Sequence, residues 1–112
     1  MDDSEDNRII LKWFMNRLGF EADVAASGSE GIEKAMTGNY ALVFLDIQMP
    51  GLDGFEVLKK LRENNYKGPL VALTAQAMKG DRERCLAQGF TDYISKPFDE
   101  KALKSIAYKH AT

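Results

Sequence analysis

The sequence has only one cysteine, one histidine and three prolines among its 112 residues. Cys85 has no partner for a disulfide within the chain, which is typical of proteins in a reducing compartment. A zinc site built from cysteine and histidine is excluded, because such sites need more ligands of these two types than the chain contains.

Signals for membranes and secretion are also missing. The longest apolar run, residues 41–45, has the length of a strand and falls far short of the roughly 20 residues that cross a bilayer. The N-terminus is acidic from Asp2 to Asp6 and lacks the basic and apolar regions of a secretory signal. We therefore predict a cytoplasmic location and no membrane contact by this chain.

The charge balance argues against binding of nucleic acid. Fifteen basic residues face seventeen acidic ones, for a formal net charge of −2, so no excess of positive charge is available for phosphate backbones. Hydrophobic residues make up 45% and charged residues 29%, as in ordinary globular proteins. Length and composition together predict one domain over residues 1–112.

Helical and strand patterns alternate along the chain. Apolar residues recur at helical spacing in five segments, within residues 10–18, 32–36, 55–61, 78–88 and 103–107. Strands are predicted at residues 21–25, 41–45, 70–73 and 92–95. Gly19, Gly38 and Gly89 mark helix ends. Four strands alternating with five helices predict an α/β fold, a parallel sheet with helices on both faces.

Three predicted strands end in polar residues, namely Asp46, Thr74 and Lys96. An acidic pair, Asp2 and Asp3, precedes the first helix. In parallel sheets ligands gather beyond the carboxyl ends of the strands. Clustered carboxylates favour a bound cation, and oxygen ligands with open coordination positions suit Mg²⁺. A carboxylate at such a site can attack phosphorus to form an aspartyl phosphate, while Lys96 and the Thr74 hydroxyl stabilise phosphoryl oxygens.

The chain resembles the receiver domains of two-component response regulators, most closely those attached to hybrid sensor kinases. The matching motifs occur in order from residue 2 to the end of the chain, with the spacing of the family. They are Asp2-Asp3, the segment from Leu45 to Gly54, Leu73-Thr74-Ala75, and the segment from Tyr93 to Phe98. The resemblance implies a flavodoxin-like fold and a role as a phosphoacceptor rather than a separate enzyme.

The resemblance also implies a role for each site residue. Asp46 accepts the phosphoryl group from a histidine kinase or a histidine phosphotransfer domain. Mg²⁺ is held directly by Asp3, through water by Asp2, and further by Asp46 and the backbone carbonyl of Gln48. The remaining roles fall to Thr74 and Lys96 at the phosphoryl group, Thr74 with Tyr93 as the switch pair, Gln48 and Gln76 in tuning dephosphorylation, and Lys96-Pro97 as a cis peptide bond.

One feature departs from the family, because receivers begin with a buried strand that ends in the acidic pair. Here Met1 stands directly before Asp2, so the sequence predicts a receiver that lacks its first strand. Burial of about five apolar side chains contributes roughly 8–15 kcal/mol, which rivals the stability of a whole domain. Two repairs are open: residues 21–25 pair directly with residues 41–45, or the exposed edges drive self-association or strand exchange. We expect self-association.

Two other functions compete with this interpretation. A Mg²⁺-dependent phosphatase of the haloacid dehalogenase type would also use an aspartyl nucleophile, but that family expects an aspartate where Gln48 stands. A shortened receiver that keeps the site residues but lacks competent phosphotransfer is the second alternative. His110 lies in the predicted C-terminal tail and is discounted as a phosphodonor.

Overall fold

The computed structural model describes Met1 and residues 5–38, 40–47, 54–74, 81–95 and 100–110, without the side chains of residues 81 and 82. These ranges contain five helices and three strands. In chain order they are α1 (Glu5–Arg17), α2 (Gly28–Thr37), β1 (Val43–Asp46), α3 (Gly54–Glu63), β2 (Leu70–Thr74), α4 (Asp81–Gln88), β3 (Asp92–Ser95) and α5 (Glu100–His110).

The strands form a parallel sheet in the order β1-β2-β3. Asp46 pairs with Leu73, and Thr74 pairs with Ser95. The predicted parallel sheet and its strands over residues 70–73 and 92–95 are therefore confirmed. Because neighbours in the sheet are also neighbours in sequence, the right-handed crossovers place α3 and α4 on one face.

Helices cover both faces of the sheet, as the sequence predicts. On one face, alternate residues of β1 and β2 pack with α2, α3 and α4 around Ala35, Val57, Leu61 and Cys85; we call this the α2-side core. On the other face, Val71, Leu73 and Ile94 pack with α1 and α5, chiefly through Leu11, Met15, Leu103 and Ala107; we call this the α1-side core. The apolar runs of β1 and β2 are explained by burial on two faces.

Two predicted helix ends are confirmed by their backbone geometry. Gly19 and Gly89, which follow α1 and α4, have φ angles of 94° and 117°. Glycine adopts this left-handed conformation without the steric cost of a Cβ atom, which allows the terminal carbonyls to be satisfied by a tight turn. At the other end of a helix, Ser27 caps α2 by accepting a hydrogen bond from the Glu30 N–H at 3.2 Å.

The predicted strand at residues 21–25 is wrong. The segment forms neither helix nor strand. Its Val24 carbonyl accepts a hydrogen bond from Lys34 Nζ at 2.6 Å, and just beyond the segment the Ala26 N–H donates to the Glu30 carboxylate at 3.1 Å. A β-strand needs a neighbouring strand with which it forms a ladder of hydrogen bonds. A groove separates this segment from β1, so no ladder forms between them. The direct pairing proposed as the first repair is therefore also wrong, and the described residues contain three strands rather than four.

The outer edge of β1 is paired at one end by a single residue. Met1 donates its N-terminal ammonium to the Phe44 carbonyl at 2.6 Å, and the Asp46 N–H donates to the Met1 carbonyl at 2.9 Å. These two bonds form one rung of a parallel ladder opposite Leu45. The expected self-association stays a prediction, since the structure contains one copy of the chain. None of the helices in the part described here is long and apolar enough to cross a membrane.

Candidate functional site

Polar residues stand at the carboxyl edge of the sheet, where the apolar runs of β1 and β2 end. Asp46 is the last residue of β1 and Thr74 is the last residue of β2. Since Asp46 pairs with Leu73, it lies one register step from Thr74 on the neighbouring strand, and strands are about 4.8 Å apart. Asp46 and Thr74 therefore end neighbouring strands at the same edge of the sheet.

Both residues are buried to an unusual degree for polar groups. Asp46 is 3% exposed and Thr74 is 1% exposed, and they are the only buried polar or charged residues among those that the structure describes. Burying a carboxylate costs free energy unless hydrogen bonds or cations compensate. A buried carboxylate residue and a buried hydroxyl residue at the ends of neighbouring strands are therefore unusual in an otherwise apolar core.

The backbone after Asp46 is held in a tight approach to the start of α3. The Ile47 N–H donates to the Leu73 carbonyl at 3.1 Å, and the Gly54 N–H donates to the Ile47 carbonyl at 3.2 Å. A Cβ atom on Gly54 would lie 2.7 Å from the Asp46 carbonyl oxygen and closer still to the Ile47 Cα. Glycine at this position thus permits the contact that fixes the end of β1 against α3.

Tyr93 lies on β3 opposite Ala72, two register positions from the Thr74–Ser95 pair. Because side chains alternate along a strand, Thr74 and Tyr93 project from the same face of the sheet. The Tyr93 side chain is half-buried and packs against the α2-side core. Tyr93, the predicted switch residue, therefore lies on the strand next to Thr74 and on the same face of the sheet.

The other predicted site residues lie outside the described ranges. These are Asp2, Asp3, Gln48, Gln76, Lys96 and Pro97. Three residues next to them in sequence are described, and each belongs to the same edge of the sheet. Met1 bonds to Asp46, Ile47 follows Asp46, and Ser95 pairs with Thr74.

Sequence reasoning missed three contacts. The rung formed by Met1 leaves no pattern in the sequence, because it depends on backbone atoms of one residue. The close approach of Gly54 had a signal, a glycine at a predicted loop-to-helix boundary, but no indication of what it contacts. His110 belongs to α5 rather than to a free tail, and its Nε2 lies 3.0 Å from the Asp92 carboxylate.

A family model, the response regulator receiver domain, matches residues 1–108 of this chain. The chain is 38% identical over 104 residues to the sensor protein EvgS of Escherichia coli K12, covering 93% of this chain and 9% of EvgS. It is 39% identical over 101 residues to the transcriptional regulatory protein SrrA of Staphylococcus aureus NCTC 8325, covering 90% of this chain and 42% of SrrA. The chain thus spans less than half of each of these two relatives.

Solved structures agree with this similarity. The receiver domain of the sensor histidine kinase PA1611 from Pseudomonas aeruginosa PAO1 superimposes with a TM-score of 0.88 at 32% identity. The match covers 99% of this chain and 93% of that domain, whose structure has a magnesium ion coordinated in its active site cleft. None of these three proteins supports the phosphatase alternative.

Proposed function

The chain belongs to the response regulator receiver domain family, and from this membership we propose that Asp46 accepts a phosphoryl group from a phosphorylated histidine. The observation that carries the proposal is that Asp46, at the end of β1, and Thr74, at the end of the neighbouring strand β2, are both buried. The chain would then act as the phosphoacceptor in a two-component phosphorelay and catalyse its own phosphorylation.

In the proposed reaction a carboxylate oxygen of Asp46 attacks phosphorus, and the bond between phosphorus and the donor histidine nitrogen breaks. The nitrogen keeps the bonding electron pair, and a proton on the other ring nitrogen leaves the departing imidazole neutral. The Thr74 hydroxyl donates to a phosphoryl oxygen, and the Lys96 ammonium pairs with another. Together these groups stabilise negative charge that moves from the donor to the acceptor.

Mg²⁺ is the proposed metal, held by Asp3 directly, by Asp2 through water, by Asp46, and by the Gln48 carbonyl. This oxygen donor set suits Mg²⁺. Asp46 fits the set as a buried oxygen donor, and Met1, which directly precedes the acidic pair in sequence, bonds to Asp46 through its backbone. When bound, the ion would neutralise charge on the carboxylates and the phosphoryl oxygens.

Thr74 and Tyr93 are the proposed route by which phosphorylation changes the surface. A Thr74 hydroxyl drawn towards the phosphoryl group would alter the packing of the same face of the sheet, where Tyr93 is half-buried. The proposed phosphodonor is a histidine kinase or a histidine phosphotransfer domain. The similarity to EvgS, a sensor protein, supports this class of partner.

The proposal is tested by incubating the chain with Mg²⁺ and phosphoramidate, a small phosphodonor, and following its intact mass. The unaltered chain is expected to gain one phosphoryl group. Asp46→Asn is expected to gain none, because an amide is a poor nucleophile, while Asp23→Asn, which changes an exposed carboxylate, serves as the matched control.

The hydroxyl of Thr74 has its own controls in the same assay. Thr74→Ala is expected to slow phosphorylation by about tenfold to a hundredfold, because a donor to the developing charge is lost. Thr74→Ser keeps the hydroxyl and is expected to stay near the unaltered rate. Equal phosphorylation of the Asp46→Asn variant and the unaltered chain would refute the proposed acceptor.

A further inference from the structure

The side of α1 that faces away from the sheet exposes large apolar side chains. Ile9, Ile10 and Trp13 are 59%, 42% and 54% exposed. The buried residues of the same helix are Leu11 and Met15, and with about 3.6 residues per turn Ile9 and Trp13 lie on the opposite side from them. None of the three exposed residues lines the groove beside β1, so their exposure does not depend on what fills that groove.

Five residues of α1 form one stripe along this side of the helix, and we call them the outer face of α1. They recur every three or four positions and are Asp6, Ile9, Ile10, Trp13 and Arg17. The middle of the stripe is apolar, while its two ends carry opposite charges in the first and last turns of the helix. Apolar side chains at this spacing are typical of a helix that packs against another helix.

Trp13 is held in place by its neighbours. Its ring meets the edge of the Phe14 ring with 5.1 Å between the centroids, and the Arg17 guanidinium lies 5.2 Å from its centroid. Arg17 is held in turn by Glu100 on α5, with 3.2 Å between Nε and the carboxylate. Tryptophan and arginine are enriched among the residues that dominate binding, and side chains that are already ordered lose less entropy in a complex.

We propose that the outer face of α1 binds the same face of a second copy of this chain, with the two helices antiparallel. A symmetric contact of this kind uses one surface on both copies. In a two-fold pair centred between residues 11 and 12, Ile10 contacts the partner's Trp13. In the same pair, Asp6 contacts the partner's Arg17. Apolar residues then lie at the centre of the contact and charged residues at its rim, as in other protein interfaces.

The charges of the outer face favour the antiparallel arrangement. It places Asp6 of each copy beside the partner's Arg17, whereas parallel helices would bring like charges together. Arg17 can serve both contacts, because Glu100 is bonded to Nε and the guanidinium has further N–H donors. A contact centred on α5 instead would meet like charge, from the exposed side chains of Lys101, Lys104 and Lys109.

The size of the outer face predicts a weak dimer. A helix of 13 residues is about 20 Å long and about 10 Å wide. Stable interfaces bury about 800 Å² on each partner, which is more than one side of such a helix supplies. We therefore expect a dimer that forms at high protein concentration and dissociates on dilution.

The single tryptophan of the chain makes the contact measurable. Trp13 is the only source of tryptophan fluorescence, so its emission reports on the outer face directly. Sedimentation equilibrium and front-face fluorescence are measured on the full chain from about 10 µM to about 1 mM, the range in which weak interfaces associate. We expect a rising fraction of dimer, together with a shift of the emission to shorter wavelength as Trp13 leaves water.

Charge reversal tests the antiparallel register. Asp6→Arg and Arg17→Asp are each expected to weaken dimerisation by about five- to thirtyfold, because the pair occurs twice in the dimer. An equimolar mixture of the two variants restores both pairs and is expected to associate at least about fivefold more tightly than either variant alone. Such recovery also shows that both variants are folded. Glu63→Arg, at an exposed position on α3, is the matched control and is expected to dimerise like the unaltered chain.

Three results would overturn the proposal. The first is a monomer throughout the dilution series. The second is a dimer whose formation leaves the emission of Trp13 unchanged, which would place the contact elsewhere on the surface. The third is a mixture of the two charge variants that associates no better than each variant alone.

Discussion

Asp46 and Thr74 combine deep burial with polar chemistry, at the ends of adjacent strands. A core position of this kind is ordinarily apolar, because burial of a carboxylate is costly without compensation. Substitutions at these two residues are therefore expected to affect stability as well as the proposed function, and a conservative replacement is needed to separate the two effects. For this reason the Thr74→Ser control carries more information than Thr74→Ala alone.

A second partly buried carboxylate, Asp92, lies at the opposite end of the sheet. Its side chain and that of His110 are 19% and 14% exposed, and they approach to 3.0 Å. Burial raises the pKa of Asp92, but hydrogen bonds from His110 and the Tyr93 N–H, with the charges of His110 and Lys109, outweigh it. The pKa of Asp92 is therefore held below its ordinary value in the folded chain.

This depressed pKa predicts a loss of stability in acid. A carboxylate with a lower pKa in the folded state contributes stability above its unfolded pKa of about 3.9, and this contribution disappears as the pH falls through the folded pKa. Asp92→Asn is expected to lower the free energy of unfolding near neutral pH by about 0.5–1 kcal/mol and to flatten its decline in acid. Urea denaturation over a pH series measures both effects.

Glu63→Gln, at an exposed position on α3, is the matched control for the loss of one carboxylate. An unchanged acid dependence in Asp92→Asn would show that the contact with His110 is not coupled to folding. Phosphorylation of Asp92→Asn is expected to stay normal, because Asp92 begins β3 while the site lies at the other end of the strand.

At the scale of elements, three helices end in the same way. Gly19, Asn65 and Gly89 follow α1, α3 and α4 with φ angles of 94°, 68° and 117°. At each of these ends, the N–H of the positive-φ residue and the N–H of the residue after it both donate to carbonyls in the last turn of the helix. Asn65 is the one non-glycine residue with positive φ in the described ranges, so α3 ends with the least favourable residue of the three.

Replacement of Asn65 tests this interpretation in both directions. Asn65→Gly is expected to stabilise the chain by a few tenths to about 1 kcal/mol, because glycine adopts the left-handed conformation at lower cost. Asn65→Ala is expected to destabilise it by about 1 kcal/mol. Thermal or urea denaturation of the pair measures the difference, and equal stability of the two variants would contradict it.

Elements with a strong local signal could be predicted from the sequence. The uninterrupted apolar runs of β1 and β2 indicate burial on two faces, and Gly19 and Gly89 indicate helix ends; the structure confirms these features. Residues 21–25 show an alternating pattern as well, with Ala22 and Val24 less exposed than Glu21 and Asp23. An alternating pattern indicates which side chains of a segment face the core. Whether the segment forms a strand also depends on an adjacent strand to pair with, which the local sequence does not specify.

The difference between local sequence signals and contacts with distant parts of the chain also explains which features of the site could be predicted. Asp46 and Thr74 were identifiable because each follows an apolar run, and parallel strands bring such ends to one edge. The contact of Met1 with β1 and the approach of Gly54 to Ile47 depend on backbone atoms. Such contacts cannot be predicted from the types of the residues involved. Family resemblance supplied the roles of the residues, which spacing alone leaves open.

At the scale of the whole molecule, the proposed binding of Mg²⁺ and a phosphoryl group at the carboxyl edge is expected to stabilise the folded chain. A ligand that binds only the folded state stabilises it by an amount that grows with the logarithm of its concentration over its dissociation constant. Mg²⁺ with beryllofluoride, a mimic of the aspartyl phosphate, is expected to raise the melting temperature of the chain. At a hundredfold excess over the dissociation constant the gain in stability is about 2.7 kcal/mol.

The Asp46→Asn variant is the control for this stabilisation, since it lacks the carboxylate that the mimic must contact. It is expected to show no shift with Mg²⁺ and beryllofluoride together. An equal rise in melting temperature in the variant would mean that the ligands bind elsewhere. No rise in the unaltered chain would favour the alternative of a receiver without competent phosphotransfer.

The most direct measurement locates the phosphoryl group itself. The chain is phosphorylated with phosphoramidate and Mg²⁺ and then reduced with borohydride, which cleaves an acyl phosphate and leaves homoserine in place of the modified aspartate. Tandem mass spectrometry of the digested chain is expected to find homoserine at residue 46 alone. Homoserine at Asp2 or Asp3, with Asp46 unmodified, would contradict the assignment of the acceptor.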